Sequence, residues 1–296
     1  MGGRESWKVT VVIPAYNAET FLAEAIRGAL GQTLPPEEIL VVDDGSTDGT
    51  AAVARDFGSP VRLLSQENRG VAAARNRGLG EVATPWCAFL DADDVWELEK
   101  LEAQMALATG GEEFTGVHCG ARLVGPREEA LGVRKGKGGD VLEDLVLFRD
   151  EVVVSGGSGL LASTALLRRM SGFREDLSTS ADWDLYRRLA ARGPLGYVPA
   201  PLVRYRIHGG NMHRDLDLFE GDMTYALRLA FQEAPLDRSS GALRRRAFGS
   251  LYRIFAGARF QEGSLFRFSW WAIRSLALWP RGVTYFLAYP KRRRKR

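Results

Sequence analysis

The chain has 296 residues, of which 45% are hydrophobic, 10% aromatic and 26% charged, a balance that excludes a disordered or collagen-like protein and allows one large domain or one domain with an appendage. Two cysteines, Cys87 and Cys119, cannot build a disulfide framework or a four-cysteine metal site and point to a reducing, cytoplasmic setting; no N-terminal apolar stretch has the length of a signal peptide. The net charge of +3 hides a segregation: residues 241–296 carry fourteen Lys and Arg against one acid, Glu262, which leaves 26 bases against 36 acids in residues 1–240.

The first hundred residues alternate short apolar runs with helical spacing. Residues 9–13, 39–42, 61–64 and 86–90 are apolar runs, interrupted only by Thr10 and Arg62, as buried strands of a parallel sheet covered on both faces are. Between them, Phe21, Ala25, Ile26 and Leu30 recur at helical spacing, with Asn17 as the expected N-cap and Gly31 as the stop. Residues 47–57 and 71–79 predict two more helices. This alternation predicts an α/β, doubly wound, mostly parallel sheet with helices on both faces, whose ligands sit at the carboxyl ends of the strands. Residues 110–139, rich in Gly, Glu and Arg, predict a less regular excursion. A β-branched run with a Ser155-Gly156-Gly157-Ser158-Gly159 segment follows, then a helix over 183–192, a strand over 198–207, and helices from Leu216 onward.

Four polar clusters fall where strands are expected to end: Pro14-Ala15-Tyr16-Asn17, Asp43-Asp44-Gly45-Ser46-Thr47-Asp48, Asp91-Ala92-Asp93-Asp94 and Ala181-Asp182-Trp183-Asp184. Aspartates converging on one sheet edge repel one another unless a cation or ligand donors sit among them, which suits a divalent ion and a nucleotide. Each cluster alone has a plainer explanation. The segment 43–48 can be a turn with a helix cap, Asp94 a cap, and Asp182 a carboxylate favoured by a helix dipole. Asp91 and Asp93 differ in lying one residue apart on an extended segment, which sends both side chains to one side.

In this order the clusters resemble the glycosyltransferase family 2 domain of the GT-A fold. The resemblance rests on Val12-Ile13-Pro14-Ala15-Tyr16-Asn17, Gln32-Thr33, Val41-Val42-Asp43-Asp44-Gly45-Ser46-Thr47-Asp48, Asn68-Arg69-Gly70, Ala74-Arg75-Asn76-Arg77-Gly78, Phe89-Leu90-Asp91-Ala92-Asp93-Asp94 and Asp182-Trp183-Asp184-Leu185, and runs from about Val9 to Asn211. It implies that Pro14, Tyr16 and Asp44 hold the nucleotide base, where a carboxylate can accept the ring N–H of uracil. It also implies Arg75 near the nucleotide, where a guanidinium suits a phosphate or a base carbonyl, Asp91 on the ribose side, and Asp93 as ligand to Mg²⁺ or Mn²⁺ with His208 near the metal and diphosphate. Asp182 matches the family's catalytic base and Asp184 is a fallback. The glutamate that usually precedes the base is Ala181 here, which leaves the acceptor geometry open.

The implied reaction is a metal-assisted, single-displacement transfer of a sugar from a nucleoside-diphosphate sugar, most simply a UDP-sugar, to a hydroxyl of a glycan or lipid-linked acceptor, with inversion. Two alternatives are a sugar-phosphate nucleotidyltransferase, which would need a Gly-rich phosphate loop in place of Pro14-Ala15-Tyr16-Asn17, and a non-catalytic membrane adaptor. Residues 1–214 are expected to form the catalytic domain and 215–296 a helical extension. In that extension Arg267, Arg274 and Arg281 recur every seven residues among Trp270, Trp271, Trp279 and aliphatic residues, and residues 291–296 are uninterruptedly basic. The pattern predicts an interfacial helix for an anionic membrane surface at the inner face of the cell membrane. A helix pair packed on the catalytic domain or on a second copy stays open, and nucleic acid is not an expected partner.

Overall fold

The computed structural model describes residues 7–149, 151–209 and 215–287. The basic residues 291–296, Gly210 and Asn211 at the end of the resemblance, and the expected domain boundary at 214/215 lie outside them. Two compact units are present, Met1–Val141 with Glu151–Asn211, and Leu142–Asp150 with Met212–Arg296. Residues 142–150 thus belong with the C-terminal helices rather than with the sheet.

The first unit begins β1 (Val9–Ala15), α1 (Leu22–Leu30), β2 (Glu38–Asp43), α2 (Thr50–Asp56), β3 (Val61–Ser65), α3 (Val71–Glu81), β4 (Trp86–Phe89), β5 (Val95–Trp96), α4 (Lys100–Ala108), β6 (Gly116–Val124) and β7 (Ala130–Arg134). After α5 (Leu142–Leu147), which belongs to the second unit, it resumes with a 3-10 turn at Gly157–Gly159, β8 (Leu161–Ser163), α6 (Thr164–Arg169), α7 (Ala181–Ala190) and β9 (Leu195–Arg206). One sheet runs in the order β3-β2-β1-β4-β8-β6-β9-β5, with β7 beside β6. Strands β3, β2, β1 and β4 are parallel to one another, and β6 is parallel to β9. The pairings of β8 with β4 and β6, of β5 with β9 and of β7 with β6 are antiparallel.

All seven residues of β1 are buried because helices cover both faces of the sheet. Val9, Val11, Ile13 and Ala15 share a core with Leu22, Ala25, Ile26 and Ala29 of α1 and with Leu101 and Met105 of α4. On the opposite face α3 approaches so closely that a Cβ on Gly78 would lie 2.4 Å from Val12 Cγ1 and 3.2 Å from Val42 Cγ2; only glycine fits there. Buried Gln32 ties the end of α1 to the start of α4: its amide donates to the carbonyls of Gly28 and Glu97, both at 2.9 Å, and accepts from Leu101 N at 3.0 Å.

Two local expectations are corrected. Asn17 does not cap α1, which starts five residues later; its backbone is left-handed, with φ of 48°, and its side chain binds the neighbouring loop. Residues 110–139 are more regular than their composition suggests. They contain β6 and β7, and β6 is held between β8 and β9, so its burial comes from distant partners rather than from any alternation of its own.

The second unit is helical: α5, α8 (Leu216–Ala230), α9 (Gly241–Glu262), α10 (Leu265–Leu278) and, after a 3-10 turn at Pro280–Gly282, α11 (Val283–Leu287). Asp215 caps α8 and Ser240 caps α9, and α9 ends at Gly263, whose φ of 91° is a left-handed C-cap. Trp271 of α10 packs 5.0 Å from both Tyr252 and Phe255 of α9. Buried Arg259 holds Asp217, Glu220 and Glu262 together. Among the described residues no helix is long and apolar enough to cross a membrane.

Candidate active site

The parallel strands deliver the polar clusters to one edge. Pro14 and Ala15 close β1 in register with Val42 and Asp43 of β2, and Asp44 N–H donates to Ala15 O at 2.8 Å, which fixes Asp44 beside the backbone of Tyr16. Tyr16 itself is 53% exposed, a large ring left in solvent at the strand end. The loops after β1 and β2 are laced together: Asn17 N–H donates to Ser46 Oγ, Thr47 N–H to Asn17 Oδ1, Ala18 N–H to Thr50 Oγ1 and Gly49 N–H to Glu19 Oε2, at 2.8–3.0 Å.

Within this lattice the aspartates of the 43–48 segment divide. Asp43 closes a turn by accepting from Ser46 N–H at 3.0 Å, and Asp48 accepts from Thr50 N–H at the start of α2 at 3.0 Å, so both serve the backbone. Asp44 faces the other way. Its buried carboxylate accepts from Gln66 Nε2 (2.7 Å), Arg69 N–H (2.9 Å) and Gly70 N–H (2.8 Å), organising the Asn68-Arg69-Gly70 loop. A carboxylate offers about four lone-pair sites, and these three donors use three of them. Gly45, with φ of 78°, lets this loop close, because a Cβ there would lie 2.8 Å from Asn68 N.

A second constellation forms where β4 ends. Arg75, buried on α3, donates from Nη2 to Asp91 Oδ1 at 2.5 Å and lies 5.0 Å over the ring of Phe173. Its Nε is buried with no hydrogen-bond partner, an N–H donor left unspent beside two carboxylates. The second is Asp182, half-buried in the first turn of α7. Burial pushes the Asp182 carboxyl above its ordinary value, while the Arg75 guanidinium opposes that shift. Asp93 Oδ2 lies 2.8 Å from His208 Nε2, and the His208 ring leans on Phe21 at 5.0 Å. Burial and the neighbouring Asp91 push Asp93 up, and His208 only partly offsets this.

Asp94 is neither a cap nor an available ligand. It accepts from Ser158 Oγ–H at 2.5 Å and from Arg206 N–H at 3.0 Å, and burial together with Asp93 and Asp91 holds its carboxyl well above the usual range. Asp184 is fully enclosed by the guanidinium groups of Arg187 (2.6 Å), Arg188 (2.7 Å) and Arg174 (3.4 Å); it anchors α7 and has no path to an acceptor proton.

Several residues that support this arrangement carry no simple sequence signal. Ser158 Oγ accepts from Asp91 N–H at 3.0 Å while donating to Asp94, and its carbonyl accepts from Trp96 Nε1 at 2.8 Å. Gly156 and Gly157 press against the charged groups: a Cβ at Gly156 would lie 3.1 Å from Asp182 Oδ2, and one at Gly157 2.6 Å from Arg75 Nη2. Arg206 donates from Nε to Asp93 O (3.0 Å) and from Nη2 to Glu24 Oε2 (2.7 Å), which pins the Asp91–Asp94 backbone to α1. These partners lie 62 to 182 residues apart in the chain, beyond the reach of any local pattern.

A divalent cation fits the donors present. Among the described residues no group of three or more His, Cys, Asp or Glu side chains forms a cage, yet Asp93 and His208 already share one point, and a hard cation that also takes substrate phosphates needs only one or two protein ligands.

Comparison with known proteins gives a consistent result. The family model for glycosyl transferase family 2 matches residues 10–166. An uncharacterized glycosyltransferase, RP339, of Rickettsia prowazekii (strain Madrid E) is 30% identical over 203 residues, covering 68% of this chain; the match takes in 64% of that protein, so the chain spans under two thirds of its length. The putative teichuronic acid biosynthesis glycosyltransferase TuaG of Bacillus subtilis (strain 168) is 37% identical over 106 residues, 34% of this chain and 42% of that protein. Among solved structures, S. aureus TarS 1–349 in complex with UDP-GlcNAc superposes with a TM-score of 0.59 at 14% identity, covering 90% of each chain. Mannosyltransferase PcManGT from Pyrobaculum calidifontis, in complex with GDP-Man and Mn²⁺, gives 0.59 at 21% identity over 96% of this chain and 82% of that one. At these identities the likeness shows the fold, which is GT-A.

Proposed function

Because this chain belongs to glycosyl transferase family 2, we propose that it transfers a sugar from a nucleoside-diphosphate sugar, a UDP-sugar in the first instance, to a hydroxyl of a surface glycan or glycolipid, with inversion at the anomeric carbon. The observation that carries this proposal is the Arg75, Asp91 and Asp182 group beside the Asp93–His208 pair at the carboxyl edge of the sheet. The PcManGT complex with GDP-Man and Mn²⁺ and the TarS complex with UDP-GlcNAc support a nucleotide-sugar donor and a divalent ion.

In this account Asp44 receives the base N–H on its remaining lone pair, with Pro14 and Tyr16 forming the wall and stacking surface. Asp91 meets the ribose hydroxyls, and Arg75 turns its unspent Nε–H toward diphosphate oxygen, a charge-assisted contact. Asp93 and His208 would hold Mg²⁺ or Mn²⁺, which when bound neutralises charge developing on the diphosphate leaving group. Asp182 takes the acceptor hydroxyl's proton on the opposite side of the sugar. Its raised pKa makes it a stronger base than a free aspartate, and Arg75 keeps it ionised enough to act. A single displacement then converts an α-linked donor into a β-linked product. The presence of Asp182 next to Arg75, despite Ala181 in place of the family's glutamate, favours catalysis over an adaptor role. A lipid-borne acceptor is consistent with association at the inner membrane surface through the C-terminal helices.

Titration of UDP by calorimetry with and without Mn²⁺ tests the donor half. Native protein should bind more tightly with Mn²⁺, and Asp93→Ala should lose that gain while melting at nearly the native temperature; Mn²⁺-independent binding in both would contradict the metal assignment.

A further inference from the structure

The outward line of α10 is apolar where a solvated helix should be polar. Ala272 and Ser275 face inward, and Ser275 Oγ–H donates to Gly249 O of α9 at 2.7 Å. The opposite side of the helix carries Phe266, Trp270, Ile273 and Ala277, spaced four, three and four residues apart and therefore stacked along one face. Phe266 is 82% exposed, Ile273 68% and Trp270 52%, with Leu265 beside them at 64%. Large apolar side chains gathered this way mark an interaction site.

The charge of this stretch of sequence selects the occupant. After Glu262 the sequence has nine Lys and Arg and no Asp or Glu. The sequence after Glu262 is net positive, so a second copy would meet it with like charge, whereas an anionic lipid surface attracts it. The arginine stripe read from the sequence is not itself the contact: Arg267 is tied to Asp217, and Arg274 lies over the rings of Trp270, Trp271 and Tyr252 at 5.1–5.7 Å. With no described helix able to span a bilayer, the chemistry is that of a helix lying in the headgroup region.

We propose that the Phe266–Trp270–Ile273 face of α10 inserts into the interfacial region of an anionic bilayer, with the net positive charge of the C-terminal sequence favouring anionic headgroups. The proposal deepens the membrane part of the proposed function and rests on it, and is independent of the transfer chemistry.

The test uses the full chain with vesicles of phosphatidylcholine and phosphatidylglycerol in equal parts, and with vesicles of phosphatidylcholine alone. Native protein should co-sediment with the anionic vesicles, less so as salt rises. Phe266→Ser with Ile273→Ser should bind about a hundredfold more weakly, since burial of each such side chain is worth on the order of tenfold, while binding UDP as native protein does. Brominated lipid should quench Trp270 fluorescence, read as the difference between native protein and Trp270→Phe, and this readout needs no disruption of the face. Failure of native protein to bind either vesicle would overturn membrane association as a whole. Equal binding by native and double-variant protein, or no quenching of Trp270, would overturn this face while leaving membrane association standing. A dimer in light scattering that the double variant converts to monomer would assign the face to a second copy instead.

Discussion

Gly157→Ala is the smallest change that tests whether the Arg75 guanidinium must sit where it does. The added methyl would lie 2.6 Å from Arg75 Nη2 and 2.9 Å from its Cζ. Returning Nη2 to ordinary contact at 3.4 Å asks for a movement of about 0.8 Å. The guanidinium has little room to yield, being buried over Phe173 and bound to Asp91 at 2.5 Å. A shift of that size takes the Arg75–Asp91 bond to the limit of hydrogen-bond length, and a hydrogen bond to a charged group is worth about 1.5–3 kcal/mol. Misplacing a positioning group by about 1 Å costs on the order of 100-fold in turnover. Gly157 has no left-handed backbone requirement, so the effect is steric alone. Gly80→Ala is the matched control: it lies on the same helix as Arg75 with open space around it and should stabilise by about 0.5–1 kcal/mol. UDP titration, donor turnover and urea unfolding of the two variants side by side make the comparison. Native affinity, turnover and stability in Gly157→Ala would refute the claim that this glycine positions Arg75.

Asp184→Asn should destabilise the fold by about 3–5 kcal/mol, because the buried charges of Arg187 and Arg188 lose their counter-ion, while the turnover of the protein that remains folded keeps its native pH profile; a changed profile at native stability would make Asp184 the base. Acid stability should be governed in part by His118, which lies buried between Tyr186 and Tyr197, its pKa pushed by burial from 6.5 down to about 4. A depressed folded-state value means that the unfolded chain binds the proton first, so the stabilisation is complete above pH 6.5 and about 3 kcal/mol of it is lost as pH falls to 4. Urea unfolding across that range should show this loss in native protein and not in His118→Gln; parallel slopes would place the acid sensitivity elsewhere.

The parts of the molecule legible in the sequence were those whose cause is local. Strands β1 to β4 are legible as mostly apolar runs, broken only by Thr10 and Arg62, and their polar ends locate the edge at which Asp44, Asp91 and Asp93 lie. The helix from Leu216 onward was equally plain. What escaped depends on distant partners. Asp94 reads as a helix cap until Ser158 and Arg206, 64 and 112 residues away, are seen to hold it. Asp184 looks interchangeable with Asp182 until three arginines close over it. Strand β6 has no period-two signal because both its faces are buried over residues 116–121, and its pairing partners β8 and β9 are distant in sequence; Asn17 reads as a helix start until its side chain is seen to bridge two loops.

Turnover by Asp182→Asn tests the central claim most directly. With Mn²⁺ and a UDP-sugar that the native protein binds, native protein should release UDP catalytically. Asp182→Asn should bind the same donor with unchanged affinity and fall in turnover by several orders of magnitude, since an amide keeps the shape of the carboxylate and cannot take the proton. Native turnover in Asp182→Asn, with donor affinity intact, would contradict the assignment of Asp182 as the base and the mechanism built on it.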